Sequence, residues 1–250
     1  MENRVIIGLS GGVDSSAAAL ILKDRGYDVT GVTLKLFGSD GIFLNEENAC
    51  VKQKDIDDAE KVCKTLGIKH KILDFGADFR KNVADYFVSS YISGLTPNPC
   101  VICNRTVKFD RLFAEAKKND AYIATGHYAR TGFNEENGRY FIKKGLDEKK
   151  DQSYVLYGLS QETLSRLIFP LGEYSKDEIR ALAEKAGLDV AAKKDSQDIC
   201  FIPDGDYVSF IERYTGRKFE EGDFVLSDGT KIGRHRGIIS YTVGQRKGLG

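Results

Sequence analysis

The chain has no tryptophan, one methionine and four prolines in 250 residues. No apolar stretch approaches the roughly 20 residues that a bilayer-spanning helix needs. No signal-peptide cleavage pattern follows the opening MENRVIIGLSGG, which runs straight into an apolar segment. Lys plus Arg and Asp plus Glu each total 37, so there is no global basic field of the kind that attracts nucleic acid. A local imbalance exists, however. From Lys231 to Gly250 five basic residues (Lys231, Arg234, Arg236, Arg246 and Lys247) stand without an acid, and charge alone leaves a solvated face and a binding stripe both open. The five cysteines are odd in number and lack framework spacing, which fits a reduced, cytoplasmic protein better than a disulfide scaffold. With 41% hydrophobic and 30% charged residues, the chain can bury one large α/β domain, with or without a small appendage.

The apolar pattern alternates. Val5–Leu9, Val29–Phe37, His70–Phe75 and Ala121–Gly126 read as strands. Ser15–Arg25, Asp55–Leu66, Asp78–Ile92, Val107–Lys118 and Ser175–Gly187 read as helices, the last opened by a Ser175/Glu178 capping box. Such alternation predicts an α/β fold, a doubly wound and mostly parallel sheet. Thr131–Lys144 reads as a hairpin, and Leu95–Asn104 (LTPNPCVICN) as a loop shaped by Pro97 and Pro99. The polar stretch Gly38 to Val51 is read as a mobile loop from its polarity. After about Cys200 the character changes, and FVLSDGTKIGRHRGIISYTVGQRKGLG is glycine-rich and strand-like, with a boundary placed near residue 205. The expected domains are therefore 1–204 and a small β-rich unit at 205–250, incomplete because it stops at GQRKGLG without a closing element.

SGGVDSS follows the first strand and opens a helix. Gly11 and Gly12 let the backbone approach an anion, and the helix adds its positive end. The lysine of the commonest nucleotide loop is absent, because Val13 and Asp14 follow Gly12. An aspartate in an anion loop is costly unless Mg²⁺ lies between it and the phosphates, so Asp14 reads as metal-facing. The string resembles the pyrophosphate loop of the ATP pyrophosphatases, which adenylate an oxygen and release pyrophosphate. That resemblance implies a loop that holds the leaving group.

Cys50 and Cys63 read as inert core residues. Cys100 and Cys103 flank the proline-shaped loop just before a helix, where a thiol pKa would be lowered. Spacing alone leaves half a zinc site, a redox pair and coincidence open, although His70, His127 and His235 are scattered and no second C-x-x-C exists. Phe109 and Phe113 read as core, not as a platform for bases.

Six segments in order, SGGVDSS, GLTPNPCVICNRTVKF, ATGHYAR, DQSYVLYGLS, KDSQDICFIPDG and YTVGQRKGLG, closely resemble the bacterial tRNA-specific 2-thiouridylases over nearly the whole chain. The resemblance implies that ATP, with Mg²⁺, sits on Gly8, Leu9, Ser10, Gly11, Gly12, Val13, Asp14 and Ser15, with Leu34 and Gly126 adding contacts. It implies that Asn98, Pro99 and Cys100 meet a wobble uridine, and that His127, Lys150, Asp151 and Gln152 contact tRNA. Cys103 matches the nucleophile and Cys200 the persulfide carrier, the two closing a disulfide as sulfur is released. A sulfur-relay protein or cysteine desulfurase would feed them, and no membrane partner is implied. Many relatives have an aspartate where this chain has Cys100. Cys100, Cys103 and Cys200 are therefore also candidate ligands of a [4Fe–4S] cluster. Outside this reading lie an ATP-dependent ligase for a small metabolite and a non-catalytic RNA-binding or redox module. The first has no use for paired cysteines, and the second none for the phosphate loop.

Overall fold

The computed structural model describes residues 3–36, 53–193, 199–202 and 204–249. The readings of Gly38 to Val51 and of Cys50 lie outside these residues. β1 (Arg4–Gly8) buries Val5, Ile6 and Ile7 together. A strand apolar on both faces belongs inside a parallel sheet. β1 has β2 (Asp28–Lys35) on one side and β4 (Tyr122–Ala124) on the other, both parallel to it. β3 (Lys69–Asp74) extends the sheet beyond β2, and β7 (Leu167–Ile168) extends it beyond β4. The order is β3-β2-β1-β4-β7. The chain first builds outward through β2 and β3, then returns to the far side of β1. The carboxyl ends of β1 and β4 therefore flank the reversal point, where open α/β sheets bind their ligands.

On one face lie α1 (Val13–Asp24), α2 (Gln53–Leu66) and α8 (Lys176–Lys185), sharing an apolar cluster with Val5, Ile7 and Leu9. Ala17, Ala18 and Ala19 of α1 are fully buried, and their small side chains let the helix lie between the sheet and α8. Gly31 serves the same end, because a Cβ there would stand 2.9 Å from the Cys63 sulfur on α2. Cys63 is buried and its thiol pKa is pushed up to about 11, mainly by burial, which fits an inert core residue.

The other face carries α3 (Gly76–Phe79), a π-helical turn at Arg80–Ala84 and α4 (Asp85–Ile92). It also carries α5 (Pro99–Cys103), a π-helical stretch at Asn104–Phe109 and α6 (Asp110–Asn119). Phe79, Phe87, Phe109 and Leu112 fill a second cluster there, and the fold is the doubly wound α/β sheet expected.

The expected loop at Leu95–Asn104 is a correction. Half of it is α5, and the helix expected from Val107 already begins at Pro99. Pro97 and Pro99 read as breakers, yet a proline is harmless at the first helical position, where no N–H partner is needed. Asn98 caps this helix, its Oδ1 accepting from Cys100 N (3.1 Å) and Val101 N (3.3 Å).

β5 (Ala129–Asn134) and β6 (Arg139–Lys144) form the expected hairpin. After it come a 3-10 turn at Ser153–Val155 and α7 (Gln161–Leu164). The chain after residue 205 opens with α9 (Tyr207–Thr215), whose Phe210 packs edge-on against Phe87 and Phe201. β8 (Gly222–Val225) and β9 (Lys231–His235) then pair antiparallel.

Candidate functional site

The phosphate-loop candidates gather at the reversal point. Leu9 N donates to Val32 O at 2.8 Å, which ties the end of β1 to β2. Gly11 has φ +69°, a left-handed conformation suited to glycine, and a Cβ there would strike the Asp55 backbone of α2. Gly12 is the extended N-cap of α1. Ser15 Oγ accepts from Ser10 N at 3.2 Å and donates to Gly12 O at 3.2 Å, while Ser16 Oγ donates to Gly12 O at 2.9 Å. The loop is thus held by its own serines before any anion arrives. Gly126, just past β4, closes on it: a Cβ there would lie 2.7 Å from Ser15 N. Gly8 ends β1 beneath the loop, Val13 begins α1 and is buried, and Leu34 is buried in the sheet among the residues of the α4–α6 face.

Asp14 differs from its expected role. Lys176 Nζ, at the first position of α8, lies 2.7 and 2.8 Å from its two carboxylate oxygens, and Tyr128 Oη donates to Oδ1 at 2.8 Å. A lysine and a tyrosine thus hold the carboxylate that was read as metal-facing. A second lysine reaches the loop from downstream. Lys193 Nζ donates to Gly11 O (2.9 Å) and to Asp58 Oδ2 (3.0 Å), and it also pairs with Asp55.

Cys103 ends α5, buried under the π-helical continuation, and its thiol pKa is pushed up to about 12. Burial is the main cause; Lys108 opposes it, and Cys200 and Cys100 add to it. The expected lowering at a helix N-terminus is therefore corrected. Cys103 lies in the last position of α5 with helical backbone continuing beyond it, not at the start of a helix, and burial decides its pKa. Cys100 keeps an exposed edge, yet its thiol pKa is also raised, first by the surrounding protein and then by Cys200, against Lys108. Cys200 is exposed, and its position is fixed by Phe201, whose ring meets Phe79 at 5.5 Å, Phe87 at 5.3 Å and Phe210 at 5.2 Å. Cys103 and Phe201, the residue after Cys200, share one apolar cluster, which brings the two remote segments into one neighbourhood. Cys63, Cys100, Cys103 and Cys200 are not joined by disulfides.

Among the expected tRNA contacts, Asn98 is the α5 cap and Pro99 is buried at its start. His127 is buried, its Nδ1 2.8 Å from Thr125 Oγ1 and its ring stacked on Phe109 at 5.8 Å. Burial first, and Lys108 second, hold its pKa well below the usual value. Asp151 Oδ1 accepts from Gly145 N (3.0 Å) and Ser153 N (3.3 Å), and Oδ2 from Ser153 Oγ (2.8 Å). Gln152 pairs with the Tyr128 backbone through both its side chain (3.1 Å) and its own N–H (2.9 Å). Lys150 N donates to Asp147 O at 3.0 Å. Phe109 is fully buried and Phe113 packs on the core, as expected of core residues.

Residues 3–204 match the family model described as tRNA methyl transferase HUP domain, and residues 208–250 that described as tRNA methyl transferase PRC-barrel domain. The tRNA-specific 2-thiouridylase MnmA of Clostridium acetobutylicum is 49% identical over 251 residues, covering 100% of this chain and 70% of that protein. MnmA 1 of Caldanaerobacter subterraneus subsp. tengcongensis is 50% identical over 252 residues, covering 100% of this chain and 69% of that protein. The chain belongs to the tRNA-specific 2-thiouridylase family.

Among solved structures, NMN synthetase from Francisella tularensis aligns at TM-score 0.46 and 16% identity, covering 86% of this chain and 78% of that one. Glutamine-dependent NAD+ synthetase from Acinetobacter baumannii aligns at TM-score 0.48 and 16% identity, covering 77% and 32%. Within this 2-thiouridylase, sequence reasoning missed Lys176, Tyr128 and Lys193. A signal for the first was present: Lys176 directly follows the cap of a recognisable capping box, so its place at a helix start was legible, though not the direction of its side chain. Among the described residues no helix is long and apolar enough to cross a membrane.

Proposed function

We propose that this 2-thiouridylase uses ATP to replace the 2-carbonyl oxygen of a tRNA wobble uridine with sulfur. Residues 1–204 act as the catalytic unit, with 205–250 as a small β-rich attachment. The observation that carries the reading is the apolar cluster that Cys103 shares with Phe201, the residue next to Cys200, on the far face of a sheet whose reversal point carries the phosphate loop.

Gly8–Ser15, with Leu34 and Gly126, cradles ATP. Attack by the uridine 2-oxygen on the α-phosphorus forms an O-adenylate and expels pyrophosphate into the loop. The terminal sulfur of a Cys200 persulfide, supplied by a sulfur-relay protein or cysteine desulfurase, attacks C2, and AMP departs with the original oxygen. The Cys103 thiolate then attacks the Cys200 sulfur. A Cys103–Cys200 disulfide forms and the thiolated base is released, so a thiol reductant must restore the two cysteines. Asn98, Pro99, Cys100, His127, Lys150, Asp151 and Gln152 form or shape the tRNA side of the site.

The metal groups fit less well. Lys176 occupies Asp14, and Lys193 occupies Asp55 and Asp58. Among the described residues no three His, Cys, Asp or Glu side chains gather to hold a metal ion, the three cysteines included. No step is therefore routed through protein-held Mg²⁺ or a [4Fe–4S] cluster.

The test measures 2-thiouridine in a tRNA transcript incubated with the protein, ATP and a persulfide source. Cys103→Ser and Cys200→Ser should abolish it, while Cys100→Ser in protein purified without oxygen should retain activity and contain no iron. Near-stoichiometric iron and acid-labile sulfide, lost with Cys100→Ser, would replace the persulfide route by the cluster.

A further inference from the structure

Two of the expected RNA contacts in DQSYVLYGL are committed internally: Asp151 to Gly145 and Ser153, and Gln152 to Tyr128. What this segment leaves outside is aromatic. Tyr154 is 62% exposed and Tyr157 is 76% exposed, while Val155 and Leu156 between them are buried. The exposed-buried-buried-exposed order puts both tyrosines on the outer side of one turn. That turn packs directly on α5, the helix that ends at Cys103. The residue after Tyr157 is pressed against the continuation of the same helix, since a Cβ on Gly158 would stand 3.0 Å from Arg105 Cδ.

Charge complements the aromatic surface. Exposed Arg105 lies beside the end of the turn, and Lys149 and Lys150 precede it by a few residues in sequence, a set of cations suited to the phosphates of a single-stranded segment. Large exposed phenol rings set among cations suit unpaired bases, which stack on any π-face. An exposed tyrosine pair costs little rotamer freedom when a base settles on it, having few rotatable bonds.

We propose that Tyr154 and Tyr157 form a stacking platform for unpaired anticodon-loop bases adjacent to the target uridine. The proposal rests on the tRNA-thiolating reading above and adds a binding surface to it. Neither tyrosine takes part in sulfur transfer; each positions the neighbouring nucleotide so that the target base reaches the Cys200 persulfide.

The experiment uses the full chain and tRNA transcripts carrying 2-aminopurine at loop positions beside the target uridine, with binding also measured by filter retention. Stacking on tyrosine quenches the probe. Tyr157→Ala and Tyr154→Ala should each lose quenching and weaken binding about five- to a hundred-fold, and raise KM for tRNA more than they lower kcat. Tyr157→Phe and Tyr154→Phe should restore both, because the ring and not the hydroxyl is used. ATP affinity and circular dichroism of the alanine variants report whether the fold is intact. Full quenching and affinity in folded alanine variants would overturn the platform while leaving the function untouched. Failure of the wild-type chain to bind the transcript would overturn the tRNA reading itself.

Discussion

Lys176 Nζ lies 2.7 and 2.8 Å from the two carboxylate oxygens of Asp14, across 162 residues of sequence. The phosphate loop has no lysine of its own, and α8 brings one to it. Because the lysine side chain is 9% exposed and the aspartate 33%, the pair is only partly shielded from water. Lys176→Met should therefore destabilise the fold by about 1–3 kcal/mol, less than loss of one partner of a fully buried pair. It should also weaken ATP binding about tenfold or more, since Asp14 would then repel the phosphates. Calorimetric titration with ATP checks this, and an unchanged Kd would refute it. Adding Asp14→Asn should recover part of both losses.

Gly126 approaches the loop so closely that the smallest side chain collides with backbone. A Cβ there would lie 2.7 Å from Ser15 N and 2.8 Å from Asp14 C. These are backbone atoms and cannot swing aside, so Gly126→Ala must displace the start of α1 from β4. The expected result is a loss of ATP binding of at least about tenfold, with a melting temperature lowered by a few degrees. Gly138→Ala is the control for a general glycine effect, because nothing lies within 4 Å of a Cβ there, although its φ of +65° carries backbone strain.

Much of this was legible beforehand because it is written in local pattern. β1 is a buried apolar run, the Ser175/Glu178 capping box is present, and the hairpin turn has Asn134 accepting from Glu136 N at 2.9 Å. α5 was not legible, because Pro97 and Pro99 carry the same signal whether they break a helix or start one. β7 has two residues and no period to detect. The Cys103 environment was misread for a different reason. A helix N-terminus is local, but burial is tertiary, and burial decides that thiol's pKa. Lys176 and Lys193 reach the loop through long-range packing that no spacing rule encodes.

Burial holds the Cys103 thiol at about 12, with Lys108 pulling the other way. Its thiolate is therefore scarce near neutral pH, and steps that need it should speed up about tenfold per pH unit over the range below its pKa. Alkylation of Cys103 by iodoacetamide, followed by mass spectrometry between pH 7 and 9, should show that slope. Lys108→Met removes the opposing charge and should slow alkylation at every pH in this range. A Cys103 that alkylates rapidly and without pH dependence at pH 7 would contradict the buried-thiol account.

His127 supplies a pH dependence of the opposite kind. Its pKa is held well below the ordinary value, first by burial and then by Lys108, so the folded protein keeps the ring neutral. In the unfolded chain the same ring titrates near 6.5. Above that pH both states are neutral there and the group contributes no slope. Below it the unfolded chain takes up a proton that the folded one refuses, so stability falls as pH falls, by up to about 1.4 kcal/mol per unit. His70, also lowered by burial against a raising Glu60, acts with the same sign and must be left in place. His127→Asn can keep a polar atom facing Thr125 while removing the titrating ring. It should be less stable than wild type at pH 7.5, where stacking on Phe109 is lost, yet lose less further stability between pH 6.5 and 5. Thermal melts at half-unit steps give both curves. Parallel slopes would show that another group carries the acid sensitivity, whereas convergence toward pH 5 identifies the neutral, buried imidazole.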